Sequence, residues 1–307
     1  MPSRLWVETT SRCNLSCGSC LNRMLPPGQK KDMEIKLYTD IIDQAAGKVH
    51  DINLFHRGEP LLHPHIIDMI AYAAGRGIKT RVHTNAVLLD EKLGRGMISA
   101  GLGLISFSFD GYSKQDYENR RRGADFHMTL GNIKSFLELR KALGSDMPVT
   151  VIQVMEDTED LKSSERIKQK KDFLKNFKHA PPDMVVTRIP HNWGGLLDGP
   201  RTDGGKGIKR HPCTFPWYSL TIFSDGRAYP CPQDFMGAIP VGDTRKESLA
   251  DIFNGQRLRA VRRMFASLDI DGKLPCIKCD RIIRKAVMGI PLEYAGAFFR
   301  DNMRGLH

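Results

Sequence analysis

Three cysteines within eight residues constrain this chain more than any other feature. Cys13, Cys17 and Cys20 form a C-x3-C-x2-C cluster directly after the strand-like run Leu5-Trp6-Val7-Glu8-Thr9. Three thiolates this close can hold one iron–sulfur cube, and its fourth iron then lacks a protein ligand. A small molecule can bind that open iron and be activated by electron transfer. Zinc usually takes four ligands in paired C-x2-4-C units, and no fourth Cys or His lies beside this cluster.

The 307 residues allow one large domain or two ordinary ones, and 41% hydrophobic content allows a substantial core. Short apolar runs alternate with longer amphipathic segments. Strands are expected at 4–8, 51–55, 79–83, 104–109, 149–155 and 184–188, and helices at 34–46, 64–75, 90–100, 128–143 and 161–177. Such alternation argues for an α/β fold with a parallel sheet covered by helices. Six units match a partial (β/α)6 TIM-like barrel, with a flat doubly wound sheet as the other possibility. In barrels of this kind active-site residues collect at the C-terminal strand ends. Cys13 to Cys20, His56-Arg57-Gly58-Glu59-Pro60, Thr84-Asn85 and Asp110-Gly111 all fall there.

With these strand-end motifs beside it, the cysteine cluster resembles the signature of the radical SAM superfamily. The resemblance implies that the open iron chelates the amino and carboxylate groups of S-adenosylmethionine (SAM). Reductive cleavage then yields a 5′-deoxyadenosyl radical that abstracts hydrogen from a substrate. Gly58-Glu59-Pro60 looks like the family's motif for the methionine amine, with Glu59 as its acceptor and Gly58 allowing close approach of a ligand. Ser108-Phe109-Asp110-Gly111 resembles the family's Ser-Ile-Asp-Gly element, which places Ser108 and Asp110 on one side of a strand, within reach of ribose hydroxyls. Arg121, within Tyr117–Gly123, is assigned to the cofactor carboxylate, ahead of Arg120 and Arg122. Two positions depart from the family pattern. Ser19 replaces the aromatic residue common before the third cysteine. Ala86 replaces the glycine of Thr-Asn-Gly, so that turn is expected not to need a positive φ.

From about residue 191 the chain is richer in Gly, Pro and Cys, and a domain boundary is expected near 190, dividing 1–190 from 191–307. Gly194-Gly195, Gly199-Pro200 and Asp203-Gly204-Gly205 read as a linker or mobile loop. A hairpin is expected over 217–231, turning at Ser224-Asp225-Gly226-Arg227. Cys213, Cys231, Cys276 and Cys279 could fully ligate a second cube or a structural zinc. Their layout, with Gly226-x4-Cys231 and Cys276-x2-Cys279, resembles the twitch/SPASM extension of radical SAM enzymes, in particular its aminocyclitol-oxidising members. A full SPASM pattern has about seven C-terminal cysteines and two clusters. Four cysteines imply one auxiliary [4Fe-4S] cluster. The core resemblance spans about residues 5–190 and the extension about 211–280.

The resemblance therefore implies SAM and two [4Fe-4S] clusters, and an external one-electron reductant of flavodoxin or ferredoxin type. All seven cysteines are then consumed and none remains as a thiol hydrogen donor. The auxiliary cluster can take an electron from a substrate radical, which makes a two-electron oxidation the expected reaction. Arg57, Arg188, His191, Asn192 and Trp193 are the candidates for substrate contact, and the catalytic base is not assigned. The net charge of +11 favours an anionic partner, so the substrate is expected to be a small polar or anionic sugar or aminocyclitol. The competing readings are a SPASM-type peptide-modifying maturase and a non-catalytic Fe–S or zinc protein that binds nucleic acid. Basic and aromatic residues are not interleaved as in a single-strand binding groove, so nucleic acid is not an expected partner. No run of about 20 apolar residues occurs, so no membrane partner is expected. The absence of a signal peptide and the clustered cysteines point to a reducing cytoplasm. The amphipathic stretch 290–304 is expected to cover the barrel mouth or a partner.

Overall fold

A computed structural model describes residues 1–156, 163–197, 211–270, 275–282, 286–287 and 290–291. Six strands form the barrel sheet: β1 (Arg4–Val7), β2 (Asp51–Asn53), β3 (Lys79–Thr84), β4 (Leu104–Ser108), β5 (Val149–Met155) and β6 (Met184–Arg188). They lie side by side in sequence order, all parallel. A doubly wound sheet would reverse this order at a switch point, and no reversal occurs. The fold is α/β with a partial TIM-like barrel.

Strand alternation divides the sheet into two faces. Leu5, Val7, Ile52, Leu54, Val82, Ile105, Phe107, Ile152 and Val154 are fully buried in one core. They pack on α1 (Ile35–Ala45), α2 (Ile66–Ala74), α3 (Glu91–Ser99) and α5 (Phe126–Ala142) through residues such as Ile41, Ile70, Met97 and Ile133. Each such side chain stabilises the fold by about 1.5–3 kcal/mol. The opposite, inner face mixes polar residues, among them Arg4, Glu8, Asp51, Arg81, His83, Ser106 and Arg188, with apolar ones such as Trp6, Phe55, Val151 and Met184.

Local signals set the helix starts. Asp90 Oδ1 accepts from the Leu93 N–H at 2.7 Å, and Asp125 Oδ1 from the Met128 N–H at 2.7 Å. α5 buries Phe126, Leu130, Ile133 and Leu137 on one stripe. Four helices escaped the sequence reading: α7 (Phe215–Tyr218), α8 (Leu249–Asn254) and α9 (Gln256–Ser267) beyond the barrel, and within it α4 (Lys114–Arg120), which buries only Tyr117 and so shows no apolar period. Its signal was the Ser113 cap, whose Oγ accepts from the Asp116 N–H at 3.3 Å. The helix expected at 161–177 is observed as α6 (Ser164–Leu174), and 161–162 lie outside the described residues.

Beyond β6, α7 (Phe215–Tyr218) leads into β7 (Ser219–Ile222), β8 (Arg227–Tyr229) and β9 (Gly242–Asp243). The expected hairpin is β7–β8, turning at the expected residues. Its placement was not foreseen. β7 pairs in parallel with β1, Leu5 opposite Leu220, so the cysteine-rich region extends the barrel's own sheet. α8 (Leu249–Asn254) and α9 (Gln256–Ser267) cover this extension. The linker residues 198–210 and most of 290–304 lie outside the described residues. Among the described residues no helix is long and apolar enough to cross a membrane.

Candidate active site

The first cysteine loop is pinned at both ends by backbone contacts. Before it, Met33 N–H donates to Thr9 O at 2.8 Å and Ser11 N–H to Lys31 O at 3.0 Å. After it, the Asn22 side-chain amide donates to Ser11 O at 2.8 Å and to Arg57 O at 2.6 Å. Across it, Ser16 and Gly18 N–H groups reach Arg122 O and Arg120 O at 3.1 and 3.3 Å. The loop after β2 presses directly on this frame. Glu59 N–H donates to Arg12 O at 2.8 Å, and a Cβ on Gly58 would stand 2.3 Å from Thr10 O. Gly58 is thus required by the chain's own backbone, where the sequence pointed to ligand approach.

Burial pushes the thiols of Cys13, Cys17 and Cys20 up, Cys13 to about 11. The fields of neighbouring cysteines add to the rise at Cys13 and Cys17. Three adjacent sulfurs that resist ionising alone suit a cationic iron centre, which stabilises all three as thiolates.

Glu59 is buried, and its carboxylate holds three protein hydrogen bonds: Leu61 N–H at 3.1 Å, Thr84 Oγ1 at 2.7 Å and Asn85 N–H at 2.7 Å. Two fall on Oε1 and one on Oε2, leaving lone-pair capacity for one further donor such as an ammonium. Burial raises its carboxyl against the pull of those donors. The turn at Thr84-Asn85-Ala86 corrects the sequence expectation, because Ala86 has φ +60°. An alanine bears that strain because its N–H reaches Thr84 Oγ1 at 2.9 Å and Asn132 Nδ2 donates to its carbonyl at 3.0 Å.

Asp110 and Arg121, both named from sequence, pair with each other: Arg121 Nε donates to Asp110 Oδ2 at 2.8 Å and Nη2 lies 2.6 Å away. Asp110 Oδ1 also accepts the Met155 N–H at 3.0 Å. Burial acts against the Arg121 charge, but Asp110 and Cys17 outweigh it and hold the guanidinium charged. Arg121 therefore sits as a cation beside the cysteine cluster. Ser108 ends β4, half-buried.

Cys213, Cys231, Cys276 and Cys279 all line one small cavity, closed by Phe215, Pro230, Phe265 and Ile282. Burial, together with the fields of the other cysteines, raises Cys231 well above the thiol range and Cys276 to about 12. Among the described residues no three Cys, His, Asp or Glu side chains converge tightly enough for a single metal ion. Four thiols around one cavity can supply every protein ligand of a [4Fe-4S] cube.

The substrate candidates fare unevenly. Arg57 is buried and fork-bonded to Glu8, at 2.5 and 2.8 Å, and its guanidinium lies 3.6 Å from the Phe223 ring centroid. Burial would raise the Glu8 carboxyl, but Arg57 and His56 overcome this and hold it well below the usual carboxylate range. His56 donates through Nε2 to Pro232 O at 2.8 Å, next to Cys231. Asn192 donates to Lys278 O at 2.7 Å and accepts from Asp280 N–H at 3.1 Å, His191 lies 3.3 Å from Asp280, and Trp193 packs edge-on against Phe235 at 5.0 Å. Arg57, His191, Asn192 and Trp193 thus tie the barrel mouth to the second cysteine site. Arg188 ends β6 and is exposed. Sequence reasoning missed Glu8 and Asn22, because their partners lie far along the chain.

A parallel partial barrel, three thiols at its mouth and four more around a closed cavity together define an iron–sulfur enzyme. The family model of the radical SAM superfamily matches residues 7–163, and that of the SPASM iron–sulfur cluster-binding domain matches 213–280. The chain belongs to the radical SAM superfamily and carries a SPASM domain; its cofactors are SAM and two [4Fe-4S] clusters. It is 24% identical to the PqqA peptide cyclase of Gluconobacter oxydans over 91% of this chain and 83% of that one. It is 27% identical to a Pyrococcus furiosus tungsten-containing aldehyde ferredoxin oxidoreductase cofactor-modifying protein, over 52% of this chain. That match spans only 45% of the relative's length. Among solved structures, BtrN in complex with AdoMet and 2-DOIA superposes with TM-score 0.59, at 18% identity, over 91% of this chain and 93% of that one. Streptococcus suis SuiB bound to its precursor peptide SuiA gives 0.68, at 17% identity, over 92% and 71%. These two likenesses are of fold.

Proposed function

We propose that the protein is a radical SAM dehydrogenase acting on a small polar or anionic sugar or aminocyclitol. The reading divides the chain into a core at 1–190 and an auxiliary-cluster domain at 191–307. One observation carries it: the seven cysteines fall into two groups, three on one loop and four around one cavity, which matches one three-thiolate and one four-thiolate cluster. No thiol is left to return a hydrogen atom to a substrate radical, and a fully ligated cluster can accept an electron. The order of residues from Cys213 to Cys279 resembles that of 2-deoxy-scyllo-inosamine dehydrogenase, which supports an alcohol-bearing substrate.

When bound, the clusters and SAM supply one-electron chemistry and a deoxyadenosyl radical. The chain's own part is to bind and orient. Glu59 offers its remaining acceptor site to the methionine amine, and Arg121, kept charged by Asp110, offers the N–H groups that Asp110 leaves over to the carboxylate. Gly58, with Ser108 and Asp110, completes the cofactor wall. The Glu8–Arg57 pair and the His56–Pro232 bond fix one cysteine site relative to the other. Overall the substrate loses a hydrogen atom, an electron and a proton, one two-electron oxidation. A flavodoxin- or ferredoxin-type partner supplies the initiating electron.

Peptide modification is the second reading, supported by the long PqqA cyclase match and the likeness to SuiB. The test is anaerobic turnover with dithionite and SAM, offering 2-deoxy-scyllo-inosamine and related polyols in one arm and candidate peptides in the other. Dehydrogenation is expected to consume one SAM per oxidised product. Sub-stoichiometric consumption, or a modified peptide with no polyol product, would replace the reading.

A further inference from the structure

The second cysteine site is poor in main-chain donors. Pro212 precedes Cys213, Pro230 precedes Cys231, Pro232 follows it, and Pro275 precedes Cys276. Proline carries no backbone N–H. Several N–H groups that remain nearby are already used. Cys279 N–H goes to Cys276 O at 3.1 Å, Ile282 N–H to Cys279 O at 3.3 Å and Asp280 N–H to Asn192 Oδ1 at 3.1 Å, while Arg281 N–H serves the Cys279 thiol. Besides the cysteines, the polar side chains lining the cavity are Gln233 and Arg281, and the other walls are apolar. The Arg281 side chain is anchored elsewhere: Nη2 lies 3.0 Å from His191 Nε2, and the guanidinium lies 5.1 Å from the Phe215 ring centroid.

Gln233 is different. It is 8% exposed, and among the described residues its buried Oε1 has no hydrogen-bond partner and its Nε2 donates to none of them. A buried amide left alone costs about 1–3 kcal/mol, and native proteins leave few of them. A half-turn of the amide exchanges its two ends, so either can face the cavity. The ligands of the site decide which end matches, because thiolates and sulfides accept hydrogen bonds and have none to donate. The donating end is therefore the one the cavity can satisfy. The charges beside it give this bond a purpose. Asp234 follows Gln233, Asp280 follows Cys279, and both carboxylates are buried. Ala238 and Ile239 N–H groups hold Asp234 in place at 2.7 and 2.8 Å. Two fixed negative charges make an added electron costly here, and a hydrogen-bond donor offsets that cost.

We propose that the Gln233 amide donates a hydrogen bond to the auxiliary cluster and raises its reduction potential, setting it to take an electron from the substrate radical. One electron passes: the radical is oxidised, the cluster is reduced by one, and the added negative charge strengthens the N–H···S bond. The inference deepens the proposed function and rests on it for the direction of electron flow, while its test reads a potential and needs no turnover.

The test is an anaerobic redox titration of the SAM-bound holoenzyme, followed by EPR. Cys17→Ala protein, which keeps only the second cluster, identifies that cluster's signal. Gln233→Met and Gln233→Leu remove the donor and keep apolar bulk. Each should make the second cluster at least tenfold harder to reduce at a fixed potential, a midpoint lower by about 59 mV or more for one electron. Iron should stay at about eight per chain, and the first cluster's midpoint should not move. An unshifted or higher midpoint overturns the proposal, as does an equal shift of both clusters. Where a variant loses iron, the wild-type protein decides. Made with glutamine isotopically labelled at the side-chain nitrogen, it should show hyperfine coupling of that nitrogen to the reduced second cluster in pulsed EPR. Among the described residues Gln233 is the glutamine that lines the cavity, and absence of the coupling rejects the assignment. Peptide modification without a polyol product would sink the dehydrogenase reading and leave the midpoint comparison intact.

Discussion

The two cysteine sites of this molecule are built on opposite plans. Cys13, Cys17 and Cys20 sit on one loop, held in a frame of main-chain hydrogen bonds from its neighbours. Cys213, Cys231, Cys276 and Cys279 come from separated segments and meet around a cavity with apolar walls. The first site is pre-organised by the barrel, and its cluster completes chemistry. The second brings distant chain segments together, and its cluster also completes structure, since metal binding to an unformed site is folding energy.

Breaking each site should therefore give different losses. Cys17→Ala should bring the largest effect on chemistry, cutting 5′-deoxyadenosine release by about a thousandfold or more, equal to about 4 kcal/mol of lost transition-state stabilisation. Anaerobic iron analysis should fall from about eight to about four per chain, with the melting temperature little changed. Cys231→Ser should also lose about four irons, but with a large drop in melting temperature and early proteolysis beyond residue 211.

The next largest effect lies in the buried pair that connects the sites. Arg57→Met leaves Glu8 uncompensated and should cost about 3–5 kcal/mol in denaturant unfolding. The pH profile sharpens this. Because the folded carboxyl lies below its unfolded value of 4.5, its stabilisation is present above that pH and is lost as pH falls below it. Arg57→Met should flatten that acid limb, and an unchanged limb would show that another carboxylate drives it. Gly58→Ala should cost about 3 kcal/mol, because its Cβ meets backbone that has no room to yield, and it should lower iron at the first site before the second. The smallest effect is a gain: Ala86→Gly should stabilise by about 0.5–1 kcal/mol by relieving the left-handed backbone.

Much of the barrel was legible because its strands are short runs with apolar residues at alternate positions, separated by longer amphipathic segments, and all six were placed within two residues of their observed ends. The two cysteine groups were legible because spacing is what sequence displays directly, and the structure gathers the second group around one cavity. The remainder was hidden for physical reasons. α4 has one buried residue and thus no period to read. β7 joins β1 from more than 200 residues away, a pairing that no local pattern encodes. Asn22, Glu8 and His56 act through partners on other loops, so their roles emerge only when those loops meet. Ala86 stood where a glycine was expected, and the alternative cost, strain offset by two hydrogen bonds, leaves no trace in residue type.

The most direct measurement is Mössbauer spectroscopy of protein purified and reconstituted without oxygen, recorded before and after adding SAM. Two [4Fe-4S] clusters are expected, about eight irons in all, with one iron changing its isomer shift when SAM binds and the other seven unmoved. A spectrum indifferent to SAM, or a single cluster accompanied by one zinc per chain, would contradict an open-cornered centre at residues 13–20 paired with a fully ligated acceptor.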